Sequence, residues 1–222
     1  MDYAFTIRQI LISVIPILIA IILHEVAHGF VAYKLGDPTA KVMGRLTLNP
    51  VSHIDPIGTI LMPLLLYVFT NGQFVFGYAK PVPINPYNFR NPKRDMAIAS
   101  IGGPATNIAL AVISTLLLKY VLIPLSIIAS AAAVARIFEP LAMMLKASIV
   151  INVILATFNM IPIPPLDGGR VLMGLLPTKQ ASVLGRIEPF GLLIVILFVA
   201  TGMANYIVRP VILLILSLIG MR

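Results

Sequence analysis

The stretch ILISVIPILIAIILHEVAHGFVAY, residues 10–33, decides how the chain is built. Before Tyr33 its ionisable side chains are His24, Glu25 and His28, and every other residue is apolar or small. As a helix rising about 1.5 Å per residue, these 24 residues reach about 36 Å, enough to cross a hydrocarbon core of about 30 Å with some tilt. A cleavable signal would end after a short apolar core. This run continues past residue 30 and carries the most distinctive polar residues, so it is expected to be retained.

Composition extends this reading to the whole chain. Of 222 residues, 59% are hydrophobic and 11% charged, against roughly a quarter charged in an ordinary soluble domain. The bilayer is the expected solvent. The net charge of +8 suits the basic loops that orient membrane proteins, and no nucleic-acid partner is expected. The absence of cysteine excludes disulfides and thiolate metal sites, leaving His and carboxylate ligands for any transition metal.

Further apolar segments lie at roughly 97–118, 139–160, 189–203 and 207–221, while 121–135 is ambiguous. Residues 34–56 are polar and turn-rich and read as a loop. Residues 57–70 are apolar but number 14 and contain Pro63, which suits a re-entrant element better than a span. Gln73 to Tyr78, followed by Pro81-Val82-Pro83, is β-prone and proline-punctuated, as in a short hairpin or edge strand. The expected fold is one domain over residues 1–222, an all-α integral-membrane bundle of about five to six transmembrane helices with a small re-entrant β hairpin within about 57–84.

With five spans, loops 34–56, 80–96 and 161–188 and the C-terminus share one side, which holds eleven of the sixteen Lys and Arg residues. The positive-inside rule makes that side cytoplasmic. His24 then lies about 21 Å along its span, past the midplane toward the cytoplasm.

His24 and His28 are four residues apart, so on a helix both imidazoles leave one face and can grip one tetrahedral Zn²⁺, with Glu25 beside them as a base. A catalytic zinc takes three protein ligands and keeps the fourth position for water, so a third ligand must come from elsewhere. His53, in the polar loop, and Asp167, after a proline-broken helix end, both qualify on chemistry. The plainer alternatives are a polar pocket in which His and Glu satisfy each other, or a metal held for stability or transport.

HEVAHG at 24–29, GGPATN at 102–107 and NMIPIPPLDGGR at 159–170 together resemble the site-2 protease family of intramembrane zinc metalloproteases, in a short form without a PDZ domain. The resemblance covers most of the chain. It implies one Zn²⁺ per chain held by His24, His28 and Asp167, which places Asp167 ahead of His53. It also implies that Asn159 holds substrate near the metal, where its amide could donate to a developing oxyanion. Asn107 reads first as interhelical glue and stands second to Asn159 as a substrate contact. By the same resemblance, the segment near residues 73–84 offers an edge strand to substrate.

Transmembrane proteins would be the substrates, within the lipid bilayer of a prokaryotic cell membrane. Filtering of substrates would fall to the bundle, the loops or a regulatory membrane partner. Two rival readings are weaker on residues. A zinc protease for soluble substrates would need a downstream glutamate ligand, yet Glu139 and Glu188 lie in no such motif. A noncatalytic membrane zinc-binding protein or metal transporter would need further ligands and a polar path, and intramembrane carboxylates are scarce.

Overall fold

The computed structural model describes residues 3–69 and 77–221. Helix α1 (Tyr3–Lys34) contains the zinc-motif stretch, and its apolar part, Ile12–Lys34, is long enough to cross a membrane. Its aliphatic composition leaves backbone groups no polar partner but one another, which enforces the helix and tolerates Pro16 within it. The helix stops at Gly36, whose φ of 110° is open to glycine. The Gly36 N–H donates to the Tyr33 carbonyl at 3.2 Å and the Asp37 N–H to the Ala32 carbonyl at 2.9 Å, which closes the last turn.

Helix α2 (Pro56–Phe69) starts on Asp55, whose carboxylate accepts from the N–H groups of Ile57 and Gly58. At 14 residues it is about 21 Å long, too short for the hydrocarbon core. Helices α3 (Pro92–Ile128) and α4 (Ala131–Asn159) are the other two of spanning length. They are followed by α5 (Asp167–Leu175), α6 (Thr178–Gly185), α7 (Gly191–Ala200) and α8 (Met203–Leu218).

The described residues thus hold three helices of spanning length, or four if Thr178–Phe190 and Leu193–Val199, bent by 76°, form one span. This is fewer than the five to six expected. The segments 97–118 and 121–135 are not separate units, because α3 runs to Ile128 and α4 starts at Ala131. The last two apolar segments form helices of 10 and 16 residues. No strand occurs among the described residues, and positions 73–76 of the expected hairpin lie outside them.

The core is the contact of α1, α3 and α4. Lipid is as apolar as these side chains, so association relies on close packing rather than on hydrophobic burial. Small residues provide it: Ala20, Ala99 and Ala111 are wholly buried, and a Cβ on Gly102 would lie 3.2 Å from the Ala27 carbonyl oxygen of α1. Helix α5 approaches α3 at Gly174, where a Cβ would come within 2.4 Å of the Ala97 Cβ.

Residues 77–85 form an extended strap fastened by its backbone N–H groups. The N–H groups of Tyr78 and Lys80 donate to the carbonyls of Gly58 (3.0 Å) and His53 (2.9 Å). The Val82 N–H donates to Glu25 Oε2 at 2.9 Å and the Asn85 N–H to Asp37 Oδ2 at 2.7 Å. Alternate residues of an extended chain face opposite ways, so Tyr78, Lys80 and Val82 share one edge and Ala79, Pro81, Pro83 and Asn85 the other. Two of these lack an N–H, so within 77–85 that edge is poor in donors for a further strand.

Asp37 anchors the strap's far end and is fully buried. Burial pushes its carboxyl up, but hydrogen bonds from Asn88, the Thr39 hydroxyl and the N–H groups of Asn85 and Thr39 reverse this and hold it below the usual carboxylate range. Its contribution to stability is therefore present above that range and is lost as pH falls through the lowered value.

Candidate metal centre

His24 and His28 project from one face of α1, with ring centroids 4.6 Å apart and the rings nearly perpendicular. Asp167 comes to them from the start of α5, across a tight connection rich in proline. The two glycines after it permit that placement: a Cβ on Gly168 would lie 2.3 Å from the Met160 carbonyl oxygen, and one on Gly169 would lie 2.3 Å from the Pro164 nitrogen. All three side chains are buried.

The ligand-type atoms converge. His24 Nε2 and His28 Nε2 are 3.0 Å apart, and each is 3.2 Å from Asp167 Oδ2. Four-coordinate zinc with bonds of about 2.0–2.1 Å at the tetrahedral angle separates neighbouring ligands by about 3.3 Å. The observed triangle is close to one face of that tetrahedron.

Electrostatics points the same way. His28 Nδ1 lies 2.8 Å from the Ala99 carbonyl oxygen, which can only accept, so Nδ1 carries a proton and, in the neutral ring, Nε2 is left with the lone pair. His24 Nδ1 lies 2.5 Å from Asn107 Oδ1, with the same consequence. With both rings neutral, two imidazole lone pairs face Asp167 Oδ2, which is buried 3.2 Å from each nitrogen. Three acceptors aimed at one point repel one another unless a metal ion or a proton lies between them.

The opposing wall is shaped to leave room for one. A Cβ on Gly103 of α3 would fall 2.4 Å from His28 Nε2 and 2.7 Å from His24 Nε2. The space beside both nitrogens therefore exists because residue 103 has no side chain. Among the described residues, His24, His28 and Asp167 are the group of three or more His, Cys, Asp or Glu that could hold a metal ion.

A family model, peptidase family M50, matches residues 12–202. The chain belongs to peptidase family M50. It is 35% identical over 197 residues to "Putative zinc metalloprotease YwhC" of Bacillus subtilis, covering 89% of this chain and 84% of that protein. Identity is 28% over 189 residues to "Putative zinc metalloprotease Rip2" of Mycolicibacterium smegmatis, covering 85% of this chain and 66% of the relative. It is 29% over 174 residues to "Putative zinc metalloprotease MJ0611" of Methanocaldococcus jannaschii, covering 76% and 72%. No solved structure matches the chain. Family, relatives and apolar helices together support a membrane-integral metalloprotease that uses zinc.

Within this M50 chain the remaining candidates take distinct places. Glu25 is half-buried, and its Oε2 accepts the Val82 N–H of the strap. His53 is buried away from the triangle; its Nε2 donates to the Thr47 carbonyl at 2.8 Å. Asn159, half-buried, donates from Nδ2 to the Leu155 carbonyl at 3.1 Å. Asn107 is wholly buried and links His24 to Asn152 of α4, to which its Nδ2 donates at 2.7 Å. Sequence reading passed over Asn152. Its signal was present all the same: an amide within an apolar helix, seven residues or about two turns before Asn159, is costly in lipid without a task.

Proposed function

We propose that this chain is a zinc-dependent endopeptidase that cuts peptide bonds in or near the transmembrane segments of other membrane proteins, with one Zn²⁺ held by His24, His28 and Asp167. The observation that carries this reading is the convergence of His24 Nε2, His28 Nε2 and Asp167 Oδ2 on one point, set in an apolar helix bundle. A zinc ion bound there supplies Lewis acidity toward water and toward a peptide carbonyl. Glu25, next to His24 on the same helix, takes the proton from the attacking water and delivers it to the leaving amine. The Val82 amide holds one of its carboxylate oxygens at the edge of the strap. Asn159, at the end of α4, is assigned to the substrate carbonyl as a hydrogen-bond donor.

A transmembrane helix hides its carbonyls in its own hydrogen bonds, so a substrate must unwind before it can be cut. Spans containing glycine or proline near the cut are therefore the better substrates. The test uses the full chain in detergent, its zinc content, and a panel of single-span helices with and without such residues. Glu25→Gln is expected to keep one zinc per chain and to slow cleavage about 10²–10⁴-fold, the usual weight of a general base. Undiminished cleavage by this variant would remove the assignment of Glu25. Zinc binding by the wild type with no cleavage of any helix would favour a noncatalytic binding protein.

The basic loops support an orientation with the site toward the cytoplasm. The chain contains no cysteine, so single replacements report topology directly. Ser130→Cys, between α3 and α4, is expected to react with a membrane-impermeant maleimide on intact cells. Lys179→Cys should react only after permeabilisation. The reverse pattern inverts the orientation.

A further inference from the structure

We infer that a chain of buried amides fixes the tautomer of His24, which makes Asn152 a positioning residue for the metal site although it contacts none of the three ligating atoms. The inference rests on the zinc reading above for its purpose, while the tautomer itself can be observed without metal.

A neutral imidazole carries one proton. His24 can ligate through Nε2 only if that proton sits on Nδ1. What decides its place is the group facing Nδ1, here the side-chain amide of Asn107. An amide offers an oxygen at one end and an NH₂ at the other, and the two orientations fill the same space. Something further must choose between them.

The choice traces back to backbone carbonyls, which can only accept. The Ser148 carbonyl of α4 takes Asn152 Nδ2 at 2.8 Å. Asn152 must then turn Oδ1 toward Asn107, which meets it with Nδ2 at 2.7 Å. Asn107 Nδ2 also reaches the Ala20 carbonyl of α1, at 3.3 Å. Its Oδ1 is left facing His24 Nδ1 at 2.5 Å, and the imidazole proton is drawn there. His24, Asn107 and Asn152 are 6%, 0% and 1% exposed, so no bulk water competes at any link. His28 reaches the same state in one step, through the Ala99 carbonyl.

Without Asn152, the orientation of Asn107 would rest on the long contact to Ala20 alone. The amide could turn, present its NH₂ to Nδ1 and move the proton to Nε2, where the metal needs a lone pair. Loss of such outer partners typically weakens metal affinity 10–100-fold. Ser148 provides the control. Its hydroxyl, 3.2 Å from Asn152 Nδ2 and 2.9 Å from Ser114 Oγ, belongs to the same polar cluster, but the orienting atom is its backbone carbonyl.

The experiment uses the full chain in detergent micelles with ¹⁵N-labelled histidine, stripped of zinc. Ring nitrogen shifts give each tautomer, and competition against a chelating dye gives zinc affinity. Wild type is expected to show both His24 and His28 protonated at Nδ1. In Asn152→Ala, His24 alone should become mixed or change tautomer, and zinc affinity should fall about 10–100-fold. Ser148→Ala should keep the wild-type pattern on both measurements.

The inference is overturned if wild-type His24 carries its proton on Nε2, or if Asn152→Ala keeps wild-type tautomer and affinity. Equal loss in both variants overturns it as well, since that is the mark of general packing. If Asn152→Ala does not fold, seen as loss of the His28 signature, the wild-type His24 tautomer decides alone. A wild type that shows the expected tautomer yet binds no zinc refutes the zinc reading and leaves the amide relay standing.

Discussion

Replacing Gly103 by alanine is expected to abolish zinc binding while leaving the helices in place. The added methyl would lie 2.4 Å from His28 Nε2, 2.7 Å from His24 Nε2 and 2.6 Å from His24 Cε1, so it falls beside the two nitrogens where a bound ion must sit. Either the imidazoles turn away from Asp167 or α3 backs off α1; neither leaves three ligands converging. Affinity should drop by more than the 10–100-fold seen when an outer partner is lost, because here the space for the ion itself is taken. Gly102→Ala is the matched control. Its methyl would press on Val31 at 3.0 Å and on the Ala27 carbonyl oxygen at 3.2 Å, which strains the α1–α3 contact but spares the ligands. That variant should melt lower and still bind zinc. Metal content by mass spectrometry, with melting followed by circular dichroism, separates the two. A Gly103→Ala protein that keeps one zinc per chain would show that the ion is not where the triangle points.

The second large effect is the loss of zinc-dependent stabilisation at Asp167. Its Oδ2 is buried and lies 3.2 Å from the Nε2 atoms of both imidazoles. Without zinc, a proton on either imidazole can bridge that contact, so Asp167→Asn is expected to lower the stability of the zinc-free protein by about 1–3 kcal/mol, the usual weight of a hydrogen bond to a charged group. With zinc the gap widens. Free zinc at 100 times its dissociation constant stabilises a binding-competent fold by about 2.7 kcal/mol, and the variant, short of an anionic ligand, should gain almost none of that. Melting temperature against free zinc is the measurement. If Asp167→Asn gains as much stability from zinc as wild type does, Asp167 is not a ligand.

Much of the centre was legible in the sequence because its information is local. The His24–His28 spacing becomes a shared helix face as soon as residues 10–33 are helical, and an apolar run of that length in lipid has no other backbone solution. The need for a third ligand was equally plain. Its identity was not, since His53 and Asp167 have equivalent chemistry and lie 29 and 143 residues from His24. Chain distance carries no geometry; family resemblance favoured Asp167, and the fold brings that residue to the imidazoles while His53 bonds Thr47. The number of spans was less legible. Hydropathy marks apolar stretches, but where α3 ends and whether two short helices make one bent crossing depend on local breaks at Ala129–Ser130 and near Gly191, and on packing.

By itself, then, the sequence determined a membrane protein with a metal-gripping helix, because composition and helical periodicity are properties of neighbours along the chain. Tertiary structure decided what residues far apart do to one another. It brought Asp167 to the imidazoles, and gave Gly103 its part as the floor of the site rather than a generic small residue. It also tied Glu25 to the Val82 amide and joined Asn107 and Asn152 to His24. The physical reason is that a lone pair's direction, a missing Cβ and an amide's orientation acquire meaning only from atoms on other helices.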